Sequence, residues 1–305
     1  MKDSAIIVCT KNGQKFIEEQ MLSIFNQTNK NFDIFINDDG SSDKTMKILN
    51  SLKTKNKNFN IQITDISYGS ATKNFLNTLK KVPNCYKYYF FCDQDDIWYR
   101  NKVQRSVDVH QTFISDIPSL YCSRTVIIDA KNKSVGKSPL FRFRPSFKNA
   151  IVQSLAGGNT MCVNQKTKSL LDSIKKINSV TSHDWMCYLL VSGNNGNIYY
   201  DTIPSLSYRK HNNNQIGPNQ SLSARLKRLQ KLFKGEFREW TKSNITVLQD
   251  LKLSRSSKTF LKTFKTKVHE GDIFNRISYI IRLGVYRQNL LSTLVLIFSV
   301  MIKKI

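Results

Sequence analysis

Two acidic clusters stand out in a strongly basic chain. The sequences Asp38-Asp39-Gly40-Ser41-Ser42-Asp43 and Asp93-Gln94-Asp95-Asp96 each follow an apolar run typical of a buried strand. Three carboxylates within four positions repel one another unless a divalent cation or hydrogen bonds compensate them. In a turn after a strand, Asp93 and Asp95 can share a hard metal that also holds a diphosphate. The second cluster therefore predicts a site for a departing nucleotide, and a solvated acidic turn is the alternative.

The first cluster is a less specific signal. A carboxylate at a strand end can accept hydrogen bonds from a base N–H or a ribose hydroxyl, and Gly40 permits a tight turn. The alternative is an Asp/Ser-rich turn in which Ser42 or Asp43 only caps the next helix. By itself this cluster does not decide between the two interpretations.

The elements that must position both clusters alternate between strand and helix patterns. Expected strands in the first half are residues 5–9, 32–36, 61–64 and 88–92, and expected helices are 14–27, one from about 44, 71–81 and 101–113. The second half is less regular, with strands near 120–128 and 159–163 and helices near 165–177 and 184–192. This alternation predicts an α/β fold with a largely parallel sheet and helices on both faces. Ligands bind such sheets at the carboxyl ends of the strands, where both clusters lie.

Several segments resemble family 2 glycosyltransferases of GT-A fold, a Rossmann-like, mostly parallel sheet flanked by helices. These segments are IIVCT at 6–10, QMLSIFNQT at 20–28, DDGSSD at 38–43 and DQDDIW at 93–98. With the later HDW and YRKHNNNQIG segments, the sequence is most similar to the rhamnosyltransferase-type branch that builds bacterial surface polysaccharides. The resemblance extends from residue 5 to about 217. It implies an inverting, metal-dependent transfer of a hexose or deoxyhexose from a UDP- or dTDP-sugar, dTDP-rhamnose among them, to a saccharide or lipid-linked acceptor.

The resemblance also implies roles for residues of the donor site. Thr10, Asp38 and Asp39 would line the nucleotide pocket, and Lys73 would reach the base or the phosphates. Gly158 belongs to a segment, AGGNT, that resembles the family's segment beneath the donor sugar, where glycine lets the backbone approach a ligand closely.

The same resemblance implies the metal ligands. Asp93 and Asp95 would form the DxD motif that binds Mn or Mg, and Asp93 would also contact the donor. His211 is a candidate third ligand or phosphate contact, because histidine readily binds divalent metals. An exposed loop histidine is the alternative.

The sequence His183-Asp184-Trp185 lies where the family has Glu-Asp ahead of a helix. An inverting transfer needs a carboxylate that takes the proton of the acceptor hydroxyl on the face opposite the leaving nucleotide. By resemblance Asp184 is the candidate general base, with helix capping as its alternative role. His183 and Trp185 are assigned to the acceptor side, where the Trp185 ring offers an apolar platform for a sugar or, alternatively, fills the core.

The charge distribution favours an anionic partner. The chain has 47 Lys and Arg against 22 Asp and Glu, a net charge of +25, and residues 221–305 have 18 basic against 5 acidic residues. Apolar residues at helical spacing over 222–240, with basic residues on the other faces, predict an amphipathic helix on an anionic membrane surface. Packing of this helix on the catalytic domain is the alternative.

The uncharged stretch 288–302 is too short for a bilayer span, which takes about 20 residues, so we expect it in the membrane interface or paired with a second copy. The expected organisation is a catalytic domain over 1–220, with a nucleotide-binding half over 1–100 and an acceptor half over 101–220. A basic helical tail over 221–305 follows.

The remaining sequence features bear on the cellular compartment and on alternative classes of function. Six scattered cysteines and no apolar leader predict a cytoplasmic protein, peripheral at the inner face of the membrane. A nucleic-acid-binding protein would explain the charge but not the acidic clusters, and no RNA- or DNA-binding motif is present, so no nucleic-acid partner is expected. A catalytically silent membrane-associated partner would have broken motifs, and a metal-dependent nucleotidyltransferase would not normally share the HDW arrangement.

Overall fold

The computed structural model of the chain describes residues 2–114, 116–211 and 230–305. The strands are β1 (Ser4–Thr10), β2 (Phe32–Asp38), β3 (Ile61–Asp65), β4 (Tyr88–Cys92), β5 (Ile97–Trp98), β6 (Ser119–Ser123), β7 (Val126–Ile128), β8 (Ser134–Lys137), β9 (Cys162–Asn164), β10 (Asn197–Asp201) and β11 (Leu206–Arg209). The helices are α1 (Ile17–Phe25), α2 (Thr45–Lys55), α3 (Ala71–Lys81), α4 (Lys102–Gln111), α5 (Phe147–Ala150), α6 (Gln165–Asp172), α7 (His183–Gly193), α8 (Glu236–Gln249), α9 (Arg255–Thr263), α10 (Ile273–Arg282) and α11 (Leu290–Met301). Short 3-10 turns occur at Gly158–Thr160 and Ile177–Ser179, and a π-helical segment at Phe264–His269.

A seven-stranded sheet in the order β10-β6-β9-β4-β1-β2-β3 forms the centre of the fold. Strands β1 to β4 are parallel to their neighbours among themselves, as the alternating pattern predicted. β9 runs antiparallel between β4 and β6, so the sheet is mixed. β1 is buried at all 7 positions, because helices cover both faces of this central strand. The α/β class is confirmed.

A second, four-stranded sheet, β5-β11-β7-β8, was not expected from the sequence. The strand expected at 120–128 is in fact two strands, β6 and β7, which belong to different sheets. The strand expected at 159–163 begins only at Cys162, because a 3-10 turn occupies Gly158–Thr160. Strands of two to four residues carry too little periodicity to be recognised in a sequence.

The C-terminal helices extend the hydrophobic core on one face of the large sheet. Buried side chains of α8, α9, α10 and α11 belong to the same cluster as those of α5 and α7: Ile245, Leu261, Ile280 and Val300 with Ala150 and Leu189. The backbone N–H of Ser254 donates to the Gly193 carbonyl at 2.9 Å, and the Phe147 and Phe260 rings lie 5.6 Å apart. The described part of the tail is thus packed on the catalytic fold.

The helix expected over 222–240 lies partly outside the described residues. Within them it is interrupted at Gly235, whose φ of 80° is a left-handed conformation that glycine adopts without steric cost. Leu232 is buried, and Phe237 and Trp240 pack against the core. For this part, docking on the catalytic domain is the interpretation that the structure supports. No helix within the described ranges is long and apolar enough to cross a membrane.

Candidate active site

The two acidic clusters meet at one edge of the large sheet. Because β1, β2 and β4 are parallel, the segments that follow them emerge side by side. Thr10 pairs with Asp38 across β1 and β2, and Val8 pairs with Cys92 across β1 and β4. The predicted nucleotide and diphosphate residues are therefore brought together.

Asp38 is fully buried, and its carboxylate is saturated by the protein. Oδ2 accepts hydrogen bonds from the Thr10 and Ser41 hydroxyls, both at 2.7 Å, and Oδ1 accepts the Ser41 N–H at 2.6 Å. Asp38 and Thr10 therefore shape the turn below the predicted nucleotide pocket. No carboxylate oxygen of Asp38 is left without a donor.

Asp39 holds the loop after β3 against the edge of the sheet where the acidic clusters lie. Its Oδ1 accepts the backbone N–H groups of Tyr68 and Gly69, the latter at 2.9 Å, and its Oδ2 lies 3.8 Å from the Lys11 ammonium. Lys73, the predicted base or phosphate contact, lies in the first turn of α3, the helix that follows this loop. Lys73 thus lies next to the loop that Asp39 holds, and its contact with a nucleotide stays a prediction.

Gln94 links the acidic loop to the loop after β1. Its Oε1 accepts the Lys11 N–H at 2.9 Å, and its Nε2 donates to the Lys11 carbonyl at 3.0 Å. A Cβ on Gly13 would lie 2.3 Å from the same Oε1, so glycine leaves the room that this contact needs. The amide therefore fixes the separation of the two loops, a role that sequence reasoning missed.

Within the two acidic clusters, Asp93 is the residue whose carboxylate accepts no hydrogen bond from the residues that the structure describes. It is half-buried, and its backbone carbonyl accepts a hydrogen bond from Cys92 Sγ at 3.2 Å. Burial, followed by the Asp96, Asp95 and Asp184 carboxylates, raises the pKa of Asp93 well above its usual value. The protein's own groups thus disfavour the ionised form of Asp93, and a bound cation would act in the opposite direction.

Asp95 lies against His211, its predicted co-ligand, and the metal assignment of the pair stays a prediction. The His211 Nε2 is 2.7 Å from Asp95 Oδ2, and the imidazole stacks on Phe16 with ring centroids 5.2 Å apart. Both side chains are largely buried, so the alternative of an exposed loop histidine does not describe His211. Over the described ranges, no group of three or more His, Cys, Asp or Glu side chains is arranged so that it could hold a metal ion.

Arg209 holds the acidic loop in place through the Asp95 backbone. Sequence reasoning did not identify this residue, although it belongs to the YRKH segment. Its guanidinium is 1% exposed, lies 2.5 Å from Glu19 Oε2, and stacks on Phe16 at 4.5 Å. Its Nε donates to the Asp95 carbonyl at 2.9 Å. Because Glu19 is 190 residues away in the chain, sequence spacing gave no signal for the pair.

Asp96 is buried and held by hydrogen bonds. Asn159 Nδ2 donates to one oxygen and the Arg209 N–H to the other. Burial and then the Asp95 charge raise the pKa of Asp96 to about 7. Asp96 therefore connects the acidic loop to the turn that contains Gly158.

Gly158 lies directly against His183. A Cβ at this position would be 2.2 Å from His183 Nε2, which has no hydrogen-bond partner among the described residues. The imidazole stacks on Phe75 at 4.2 Å, and burial lowers its pKa. His183 is thus a neutral, buried ring beneath the Gly158 turn, a placement that does not resemble an acceptor contact.

Asp184 and Trp185 begin α7 but face different surroundings. Asp184 is half-exposed, and its Oδ1 accepts the Trp185 N–H at 2.7 Å. Trp185 is 7% exposed, and its indole N–H donates to the Ala150 carbonyl at 2.6 Å. The geometry favours the core role for Trp185 over a sugar platform, because both its ring and its polar atom are occupied.

Acidic side chains at the carboxyl edge of an open α/β sheet define the class of the site, an enzyme site for a bound ligand at the strand ends. The sequence profile of Glycosyl transferase family 2 matches residues 5–164, and the chain belongs to this family. It is 30% identical over 235 residues to dTDP-rhamnosyl transferase RfbG of Shigella flexneri, which covers 73% of this chain and 78% of that protein. The expected likeness to the rhamnosyltransferase branch is confirmed.

Solved structures confirm the GT-A-like fold. S. aureus TarS 1–349 in complex with UDP superposes with a TM-score of 0.59 at 15% identity, over 88% of this chain and 72% of that one. The mannosyltransferase PcManGT of Pyrobaculum calidifontis, in complex with GDP-Man and Mn²⁺, gives a TM-score of 0.50 at 13% identity, over 99% and 87%. At these identities the likeness concerns the fold.

Proposed function

We propose that the chain is an inverting, metal-dependent glycosyltransferase that acts in surface-polysaccharide synthesis. It would move a sugar from a dTDP- or UDP-sugar to a saccharide or lipid-linked acceptor at the inner face of the cell membrane. The observation that carries this proposal is the Asp93 carboxylate at the end of β4, which accepts no hydrogen bond from the described residues and lies in the same loop as Asp95 and Asp96. The name of the Shigella relative makes dTDP-rhamnose the first donor to test.

The donor groups present suit Mn or Mg. Both cations prefer oxygen ligands, and Asp93 and Asp95 supply carboxylates at the end of β4. His211, which contacts Asp95, would complete or orient this set. When bound, the cation would neutralise charge that develops on the departing diphosphate.

The protein's own residues divide the remaining work. Asp184 Oδ1 accepts a backbone N–H, whereas its Oδ2 accepts no hydrogen bond from the described residues and is available to take the acceptor's proton. The loops held by Asp38, Asp39 and Gln94 would bind the nucleotide. In this proposal, the carboxylates of Asp93 and Asp184 take part in the chemistry, whereas those of Asp38 and Asp39, which accept several hydrogen bonds from the protein, position the loops.

A donor screen tests the proposal. Purified protein with Mn is given dTDP-rhamnose, UDP-sugars and GDP-mannose, and nucleotide release and sugar transfer are measured. Asp184→Asn should keep nucleotide binding and lose about 10²-fold or more in transfer, the range for a missing general base. Asp93→Ala should lose Mn-dependent nucleotide binding.

Asp116→Asn is the matched control, because Asp116 is exposed and pairs only with Lys166 at 3.5 Å among the described residues. It should behave like the parent protein. Unchanged transfer in Asp184→Asn would remove the assignment of the base. Unchanged Mn-dependent binding in Asp93→Ala would remove the metal assignment.

A further inference from the structure

The hairpin of α10 and α11 exposes an unusually apolar face. Exposed side chains on α11 follow one stripe, opposite the buried Leu296 and Val300: Leu290 72%, Leu291 70%, Leu294 64%, Val295 42% and Phe298 46%. On α10, Phe274 is 84% exposed and Ile281 61%. The helices are joined where Arg276 Nη1 donates to the Val300 carbonyl at 3.1 Å. We call these seven exposed side chains the hairpin face.

The chain that follows Ile281 is basic and has no acidic residue, whereas Glu270 and Asp272, the N-cap of α10, lie just before Phe274. Residues 282–305 contain Arg282, Arg287, Lys303 and Lys304, and no Asp or Glu. The segment 140–148 is also held at the hairpin, because Gln288 exchanges two hydrogen bonds of 3.0 Å with the Phe143 backbone. This segment contains three basic residues, no acidic residue, and the exposed Phe143.

The basic residues near the hairpin face distinguish between two possible binding partners, a second copy of the chain and an anionic bilayer. A second copy of the chain would bring an identical set of cations against this one, and like charges across an interface oppose association. A bilayer that contains anionic lipid offers an apolar interior to the leucines and negative headgroups to the arginines and lysines. The hairpin face therefore fits a membrane better than a self-interface.

The length of α11 determines how it would lie. Its 12 residues extend about 18 Å at 1.5 Å per residue, well short of a hydrocarbon core of about 30 Å. A helix of this length with a polar or buried opposite side lies in the plane of the interface. The hairpin face would therefore insert shallowly.

The same hairpin supports the segment that leads to the donor site. Arg287 Nη1 donates to the Val152 carbonyl at 3.0 Å, and the Gln288 N–H donates to Gln153 Oε1 at 2.9 Å. Gly158 follows five residues after Gln153. A bilayer bound at the hairpin face would thus lie against a part of the fold that is directly connected to the site.

We propose that the hairpin face is an in-plane anchor for an anionic bilayer, and that it holds the active site beside acceptors carried by the membrane. The part that concerns the acceptor rests on the proposed glycosyltransferase function. The anchor itself does not, because vesicle binding can be measured without donor or acceptor. The membrane contact is thereby assigned to the hairpin face rather than to the amphipathic pattern of residues 222–240.

Vesicle flotation of the full chain tests the anchor. The probes are phosphatidylcholine vesicles with and without phosphatidylglycerol. The parent protein should float with the anionic vesicles, and Leu291→Asp combined with Leu294→Asp should lower the bound fraction about tenfold or more, because two exposed apolar contacts are lost. Lys303→Gln with Lys304→Gln should weaken binding to anionic vesicles only, and high salt should mimic it.

Ile114→Asp combined with Ile203→Asp is the matched control. These isoleucines are 68% and 62% exposed, lie elsewhere in the fold, and give the same change in charge. The control should float like the parent, and all variants should keep the parent's melting temperature. Equal loss in the control and the hairpin variant would overturn the proposal.

Sedimentation without vesicles tests the competing occupant of the hairpin face, a second copy of the chain. A dimer that Leu291→Asp with Leu294→Asp dissociates would make the hairpin face a self-interface and overturn the membrane assignment. Normal flotation without any sugar transfer would instead contradict the proposed function and leave the anchor standing. Normal transfer to a soluble acceptor by the hairpin variant would show that its active site is intact.

Discussion

Gly158→Ala should destabilise the protein through one specific clash. The new Cβ would lie 2.2 Å from His183 Nε2 and 3.0 Å from Cε1. The ring cannot retreat freely, because Phe75 stacks on it at 4.2 Å and Phe91 lies 5.3 Å away. Overpacking of a core costs about 1–3 kcal/mol, and a rigid ring held on two sides places this substitution near the upper end.

A double-mutant cycle measures this clash. His183→Ala removes the ring, so the double variant should be about 1–3 kcal/mol more stable than the sum of the two single effects, the usual size of coupling between residues in contact. Urea unfolding of the four proteins gives the free energies. At about 2 °C per kcal/mol, Gly158→Ala alone should lower the melting temperature by about 5 °C.

The same substitution should affect function. Asn159 follows Gly158 and donates to Asp96, so a displaced turn should disturb the acidic loop. Titration with dTDP and Mn should show weaker binding for Gly158→Ala, and partial recovery in the double variant. Additive free energies, or a Gly158→Ala protein as stable as the parent, would refute the reasoning.

Three further predictions follow from other contacts. Gln94→Ala loses both hydrogen bonds to Lys11 and should raise the donor KM several-fold with little change in kcat; steady-state kinetics showing the reverse would contradict the loop-spacing role. Burial lowers the pKa of His110 to about 4, whereas its pKa in the unfolded chain is about 6.5. The neutral His110 therefore stabilises the folded state fully above pH 6.5, and the free energy of unfolding should fall by about 3 kcal/mol between pH 6.5 and pH 4. His110→Gln should flatten urea-unfolding stability over that range, and an unchanged pH dependence would count against it. Removal of residues 235–305 should abolish cooperative thermal unfolding, because it strips α8 to α11 from a shared core; a soluble, cooperatively melting product would show that the tail is separate.

The elements between β1 and β4 could be predicted because each of them has a clear local pattern. α3 and β4 have the predicted bounds, β1 is one residue longer at each end, and β2 and β3 end two residues and one residue later than predicted. Their apolar residues recur at the period of the element, and periodicity is the strongest signal in a single sequence. The position of the acidic loops could be predicted as well, because the turns that follow parallel strands lie at the same edge of the sheet.

The contacts that position the site could not be predicted, because they join distant parts of the chain. Arg209 with Glu19, and Gln94 with Lys11, depend on how the second sheet and the loops close over the first. The packing of the tail was also undecided, because an amphipathic pattern shows an apolar stripe but not what covers it. The structure shows the stripe of α8 buried in the core and that of α11 exposed.

Hydrogen-bond saturation separates the carboxylates that position the site from those available for chemistry. Asp38 and Asp96 are buried, and both oxygens of each already accept at least one hydrogen bond from the protein. Asp93 accepts none from the described residues, and Asp184 only the neighbouring Trp185 N–H. Uncompensated carboxylates in a low-dielectric site oppose folding, so a protein of net charge +25 could readily have paired them with lysine or arginine. That these two remain open, while their neighbours accept hydrogen bonds at both oxygens, supports the proposed roles of Asp93 as a cation ligand and of Asp184 as the base.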